Sequence, residues 1–181
     1  MSKEAYVETV LECIDSFEGK EIMSTFLILS IDRGDSAEVA MGAVELACKY
    51  RGRGVVGVDL CGDPRVGDVG GFGAAFERAR GEGLGITLHF AEVEASAGRE
   101  EVECLLGWRP GRLGHVVHVE EGVRREVLGR GVGVELCVSC NVQAGLTEGG
   151  VRGHHFGWWW EHGGRVILCV SETWFEIAFF G

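Results

Sequence analysis

The sequence predicts an α/β fold built on a parallel sheet that closes toward a barrel. Two observations lead to this prediction: short apolar runs recur along the chain, and most of them are followed by polar residues. The runs start roughly 20 to 30 residues apart with helical patterns in most of the intervals, as in consecutive βα units. The six runs begin at Phe26, Val55, Ile86, Leu113, Val134 and Val166.

A helix is predicted to open the chain, because apolar residues repeat at helical spacing from Tyr6 to Phe17 and Ser2 stands at its N-cap position. The first strand is predicted from Phe26 to Ile31, a continuous apolar run that is typical of a strand covered on both faces. Ser36 is then predicted to cap a helix. The buried face of that helix would hold Val39, Ala40, Ala43, Val44 and Ala47.

The remaining elements repeat the same pair of a strand and a helix. The predicted strands run over 55–59, 86–90, 113–116, 134–138 and 166–170. Three further helices are marked by apolar residues at helical spacing. Their buried faces would hold Phe72, Ala75, Phe76 and Ala79 in the first, Val102, Leu105 and Leu106 in the second, and Val123, Val127 and Leu128 in the third.

Polar residues or glycine stand at or just beyond the ends of four strands. These residues are Asp59 and Gly62, His89 and Glu92, His115, and Ser139 and Asn141. An open doubly wound sheet and a barrel both fit the alternation of elements, but polar groups at one end of successive parallel strands converge on one mouth when the sheet closes. In a straight strand His89 and Glu92 point to opposite faces, so they meet only if the chain turns just after His89.

The composition excludes several classes of partner. A formal net charge of −11 argues against binding to nucleic acid or to an anionic membrane, because both require basic surfaces. No signal peptide is visible behind Met1, and no apolar run is long enough to span a bilayer. Seven cysteines without framework spacing are typical of reduced thiols in a cytosolic protein, so we expect a cytoplasmic location.

Several motifs together resemble the adenosine/AMP deaminase family, and the resemblance covers most of residues 1–169. Each motif alone is weak, but their order and spacing make the set specific. They are VGVDLCGD at 56–63, LHFAE at 88–92, RLGH at 112–115 and ELCVSCN at 135–141, with SIDR at 30–33 and HHFG at 154–157 in addition.

The resemblance implies an incomplete (β/α)8 TIM-type barrel, with about six of the eight βα units. It implies zinc-dependent hydrolytic deamination of a 6-amino or 6-methylamino purine nucleoside or nucleotide, of the N6-methyl-AMP to IMP type. By position, His89 matches a ligand of the single Zn2+ and Glu92 matches the acid that protonates purine N1. His115 matches the residue that orients and helps to deprotonate the attacking water, and Gly62 matches the glycine whose N–H meets the purine ring. Asp59 is a weaker candidate, as a residue that orients a histidine.

The sequence also departs from the family pattern. Of the four family zinc ligands only His89 has a counterpart. The first strand of the family carries a His-x-His pair of ligands, whereas no histidine precedes Phe26 here, and Val170-Ser171-Glu172 stands where the family has Thr-Asp-Asp. We therefore expect a partial deaminase barrel over 1–169, a divergent apolar tail over 170–181, and a truncated or alternatively spliced form. The family is otherwise monomeric, whereas this chain would be prone to association. A non-catalytic remnant without a working zinc centre is the alternative function.

Three further features have alternative interpretations. The Cys137-x-x-Cys140 spacing suggests zinc or redox chemistry, but the cytidine-type deaminase signature needs His-x-Glu and a proline before the first cysteine. Cys137 is therefore expected to pack in a strand. His154 and His155 are expected at the surface of a glycine-rich loop rather than as substitute zinc ligands. Trp158 to Trp160 either line a pocket or cover apolar surface.

Overall fold

The computed structural model describes residues 2–17 and 24–169, and it confirms the α/β fold. Six strands form one sheet in the order β1-β2-β3-β4-β5-β6, and every neighbouring pair is parallel. Each strand lies beside the next strand in the chain, which is the order of consecutive strands in a barrel. The strands are β1 Leu27–Asp32, β2 Val55–Cys61, β3 Gly85–Phe90, β4 Arg112–His115, β5 Gly133–Leu136 and β6 Arg165–Leu168.

Seven α-helices connect or precede the strands among the described residues, and none of the helices there is long and apolar enough to cross a membrane. Two predicted caps are confirmed: the Ser36 hydroxyl accepts a hydrogen bond from the Val39 N–H at 3.3 Å, and Ser2 accepts one from Ala5 at 3.1 Å. The helices are α1 Lys3–Phe17, α2 Ala37–Tyr50, α3 Gly73–Gly81, α4 Arg99–Gly107, α5 Glu121–Arg130, α6 Val138–Gln143 and α7 Phe156–Glu161.

The core lies between the sheet and the helices. Most of the core residues that come from helices belong to the predicted helix faces. The central strands supply fully buried side chains, among them Val58, Leu88 and Leu113. These strands are continuous apolar runs because the helices that connect parallel strands cover the faces of the sheet.

Some burial predictions were wrong. Phe26 is 61% exposed and precedes β1, which pairs only with β2 within the described residues and has mostly half-buried side chains. Tyr6, Phe17 and Val39 are also exposed, because helical spacing marks a wider stripe than the contact that forms. The predicted tail over 170–181 lies outside the described residues.

Gly57 fixes a close approach between β2 and β3. A Cβ atom built there would lie 2.7 Å from the carbonyl oxygen of Gly85, which belongs to the backbone of the neighbouring strand. We expect Gly57→Ala to lower the free energy of unfolding by about 1 to 3 kcal/mol, since the strands must separate to admit the methyl group. Urea unfolding followed by circular dichroism measures the change.

The matched control for this change is Gly42→Ala in α2. Nothing lies within 4 Å of a Cβ atom at Gly42, and alanine is about 1 kcal/mol better than glycine inside a helix. This variant should be at least as stable as the original chain. Equal losses in the two variants would contradict the close approach as the cause.

Candidate active site

Three residues singled out in the sequence lie at the carboxyl ends of three neighbouring strands. Gly62 directly follows β2, His89 is the penultimate residue of β3, and His115 is the last residue of β4. In the register of β3 and β4, His89 pairs with Gly114 and Phe90 pairs with His115. Because the strands are parallel, these side chains share one edge of the sheet.

A turn after β3 brings Glu92 toward the two histidines, as its spacing from His89 requires. Ala91 adopts φ 47°, in the left-handed region, so the chain leaves the strand direction immediately beyond Phe90. The carboxylate oxygen Oε2 of Glu92 then lies 3.8 Å from Nε2 of His115. The ring centroids of His89 and His115 are 5.2 Å apart. One carboxyl and two imidazoles therefore form a single cluster.

The backbone at His115 is strained and held from several sides. His115 and Val116 have φ values of 65° and 52°, which non-glycine residues rarely adopt. The Val116 N–H donates to the carbonyl of Phe90 at 3.0 Å. Nε2 of His155 lies 2.7 Å from the carbonyl oxygen of His115, which can only accept, so His155 is the donor. These bonds fix the direction in which the His115 ring leaves the sheet.

Asp59 is the partner of His89. Its Oδ1 lies 3.2 Å from Nδ1 of His89, and Asp59 is 9% exposed. Burial lowers the pKa of His89, but the hydrogen bond and the charge of Asp59, with a smaller effect from Glu92, outweigh it and leave the pKa above its ordinary value. The contact leaves Nε2 as the ring nitrogen of His89 that is open to another partner.

Gly62 keeps the backbone open beside β1. Its φ of 96° suits glycine, and a Cβ atom there would lie 2.7 to 2.8 Å from the carboxylate of Asp32. The neighbouring Cys61 is half-buried, and this burial, with the charges of Asp59 and Asp32, raises the pKa of its thiol to about 11. Cys61 therefore remains a neutral thiol rather than a reactive thiolate.

A buried chain of hydrogen bonds supports His115 from behind. Nδ1 of His115 lies 2.9 Å from Oδ1 of Asn141, and Nδ2 of Asn141 lies 3.2 Å from Nε2 of His154. Asn141 is fully buried and His154 is 5% exposed. The sequence indicated Asn141 as one of the polar residues at this mouth, but it gave no sign of its contact with His154.

The prediction that His154 and His155 lie at the surface of a loop was wrong. A short 3₁₀ turn and helix α7 fold the 150–161 segment inward, so His154 reaches Asn141 and His155 reaches the backbone of His115. Burial lowers the pKa of both rings, that of His155 to about 4. The tryptophan run is divided, since Trp159 is fully buried in the core while Trp160 is 69% exposed.

The donor set of the described residues does not fit a metal ion. Over 2–17 and 24–169, no three His, Cys, Asp or Glu side chains come together in a group that could hold one.

The prediction that Cys137 packs in a strand was wrong, because it follows β5 and stands at the N-cap of α6. Burial, the chief cause, and the neighbouring Cys169 and Cys140 raise its pKa to about 12, so the thiol stays protonated.

Comparison with known proteins identifies related chains. The sequence pattern of the family described as adenosine deaminase matches residues 1–152. An N6-methyl-AMP deaminase of Danio rerio is 36% identical over 183 residues, which cover 95% of this chain and 51% of that protein. The chain thus spans about half the length of the curated relatives that it matches.

Solved structures share the fold. The crystal structure of arabidopsis ADAL complexed with IMP superposes with a TM-score of 0.86 at 32% identity, over 93% of this chain and 51% of that one. A cog1816 amidohydrolase from Burkhoderia ambifaria, with bound Zn, has a TM-score of 0.78 at 15% identity, over 94% of this chain and 48% of the other. At that identity the second likeness shows the fold alone.

Proposed function

Because the chain belongs to the adenosine deaminase family, we propose that it carries the proton-transfer residues of a hydrolytic purine deaminase. The substrate class is a 6-amino or 6-methylamino purine nucleoside or nucleotide, of the N6-methyl-AMP type. The observation that carries the proposal is the meeting of Glu92 with His115, 3.8 Å apart, beside the ring of His89 at the ends of β3 and β4.

The reaction replaces the exocyclic amine of the purine with oxygen. The water oxygen bonds to C6, the C6–N6 bond breaks, and ammonia or methylamine departs with hydrogen taken from the water. Glu92 donates a proton to N1, which makes C6 electrophilic, and one of the two water protons then restores the glutamic acid while the other leaves with the amine. His115 orients the water and helps to remove its proton, while the N–H of Gly62 contacts the ring and Asp59 holds His89 in place.

None of the steps above is assigned to the metal ion. A bound zinc ion supplies hydroxide at neutral pH by lowering the pKa of water to about 7. We assign His89 as one ligand through its open Nε2, but a catalytic zinc site uses about three protein ligands. The described residues offer no such set, so they do not fit the ion by themselves and further ligands must join His89 from outside them.

Partners follow from the same proposal. The net charge of −11 argues against a nucleic-acid or membrane partner. The partner that we propose is a small-molecule purine in the cytoplasm. Phe26 beside β1 and Leu168 in β6 are 61% and 67% exposed, at the two outer strands of the sheet. Apolar side chains beside strand edges that have no partner within residues 2–17 and 24–169 support a chain that is prone to association.

A second candidate function is purine binding without turnover. The lack of a three-donor group in the described residues favours it. The two candidates are separated by joining the chain to the part of the Danio rerio relative that it does not match, incubating this protein with N6-methyl-AMP, AMP or adenosine, with and without added Zn2+, and measuring released amine together with the binding of IMP. Zinc-dependent release by the joined protein supports the deaminase, and binding of IMP without release supports the second candidate. The absence of both release and binding would contradict both candidates.

A further inference from the structure

The chain of hydrogen bonds behind His115 has a direction that its chemistry determines. Three side chains take part, His115, Asn141 and His154, and all are at most 5% exposed, so water does not compete for their polar atoms. The far end of the chain is fixed by the backbone, because the N–H of Phe156 donates to Nδ1 of His154 at 3.0 Å. A backbone N–H can only donate, so Nδ1 of His154 carries no hydrogen.

The proton of His154 is therefore on its other ring nitrogen. An imidazole that has lost the hydrogen from Nδ1 keeps one on Nε2, and burial, which lowers the pKa of His154, holds the ring in this neutral form. Nε2 of His154 then donates to the carboxamide of Asn141 across 3.2 Å. Only the carboxamide oxygen can accept this hydrogen.

This requirement turns the carboxamide of Asn141 by half a turn from the placement given above, so that its oxygen, and not its nitrogen, faces His154. The oxygen and nitrogen of a carboxamide exchange places by a half turn with almost no change of shape, and the hydrogen-bond network decides between the two orientations. With its oxygen on His154, Asn141 presents its NH2 group to Nδ1 of His115, 2.9 Å away. Nδ1 of His115 must then accept.

We propose that Asn141 and His154 act as positioning residues that set the tautomer of His115, and that its resting form carries hydrogen on Nε2, toward Glu92. The proposal deepens the role given to His115 above. The tautomer itself follows from the hydrogen bonds, and only its consequence for catalysis rests on the proposed function. A nitrogen that carries hydrogen cannot take a proton, so His115 can help to remove the proton of the water only after its own Nε2 hydrogen has left. In the resting state His115 therefore orients the water by donating to its oxygen.

The test reads the tautomer without any need for activity. The full chain is labelled with 15N-histidine and studied at about pH 8, where ordinary imidazoles are neutral, in solution or as a sediment by magic-angle spinning. Two-bond 1H–15N correlations show which nitrogen of each ring bears hydrogen. Signals are assigned by their loss in His115→Gln and His154→Gln, or by contacts between the rings of His89 and His115. We expect hydrogen on Nε2 of both His115 and His154.

A substitution at Asn141 should reverse the tautomer. In Asn141→Asp both carboxylate oxygens only accept, so the hydrogen of His115 should move from Nε2 to Nδ1 while His154 stays unchanged. Gln143→Glu is the matched control, since Gln143 is exposed on the same helix and undergoes the same change from amide to acid. It should leave both tautomers as they are.

The outcomes separate this inference from the proposed function. Hydrogen on Nδ1 of His115 in the unaltered chain, or shared between its two nitrogens, would overturn the inference and leave the deaminase proposal intact. The expected tautomers in a chain that neither binds nor converts purines would keep the inference as a structural statement and contradict the function. If Asn141→Asp does not fold, the spectrum of the unaltered chain remains decisive.

Discussion

A Glu92→Gln variant is expected to lower the turnover of N6-methyl-AMP by about 10²-fold or more. Glutamine keeps the size and most of the hydrogen bonding of the glutamate but has no transferable proton for N1. Glu92 lies just beyond β3, and its carboxylate faces Nε2 of His115 at 3.8 Å, so the substitution removes the proton donor and leaves the surrounding fold in place. Turnover and KM are measured in a chimera that joins this chain to the part of the Danio rerio relative that it does not match.

The control for this prediction is Glu94→Gln. Glu94 is exposed two residues away, in a short turn at Glu94–Ser96, and the change in charge is the same. Turnover should be unaltered in this variant, and bound zinc should be equal in all three proteins. Unchanged turnover in Glu92→Gln, or an equal loss in both variants, would remove Glu92 from the mechanism.

The sheet could be predicted from the sequence because its signal is local. A strand buried in a parallel sheet is a continuous apolar run, and the predicted run from Ile86 to Phe90 differs from β3 by one residue. At β1 the same signal located the strand but not its burial. An apolar run does not say whether a second strand and a helix cover it, and Phe26 is 61% exposed.

The site could be predicted only in part, for a related reason. His89, Glu92 and His115 stand at strand ends, and parallel strands bring their ends together. The partner of Asn141 could not be found in this way, since His154 lies 13 residues further on in a glycine-rich segment and reaches it only through the fold of that segment. No periodicity marks such a pair. The burial of a polar side chain depends on its partner, which the sequence does not name.

The unmodified 181-residue chain is expected to retain no zinc after dialysis and to release no amine from N6-methyl-AMP when zinc is added. Over the described residues no three donor side chains form a group that could hold a metal ion, and one imidazole, that of His89, is too few for a catalytic centre that normally uses about three protein ligands. Without the metal, water stays a poor nucleophile with a pKa near 15.7.

Supplying the missing donors should restore metal and activity together. A chimera that adds the His-x-His strand of the family ahead of this chain and places Thr-Asp-Asp after Cys169 should bind about one zinc and convert the purine. In that chimera His89→Gln should abolish both properties, whereas in the unmodified chain it should change neither, because His89 alone does not hold the ion. Zinc content by atomic absorption and amine release measure the two effects. A zinc ion that survives dialysis in the unmodified chain, or zinc-dependent turnover by it, would show that the chain supplies enough ligands by itself and would contradict this prediction.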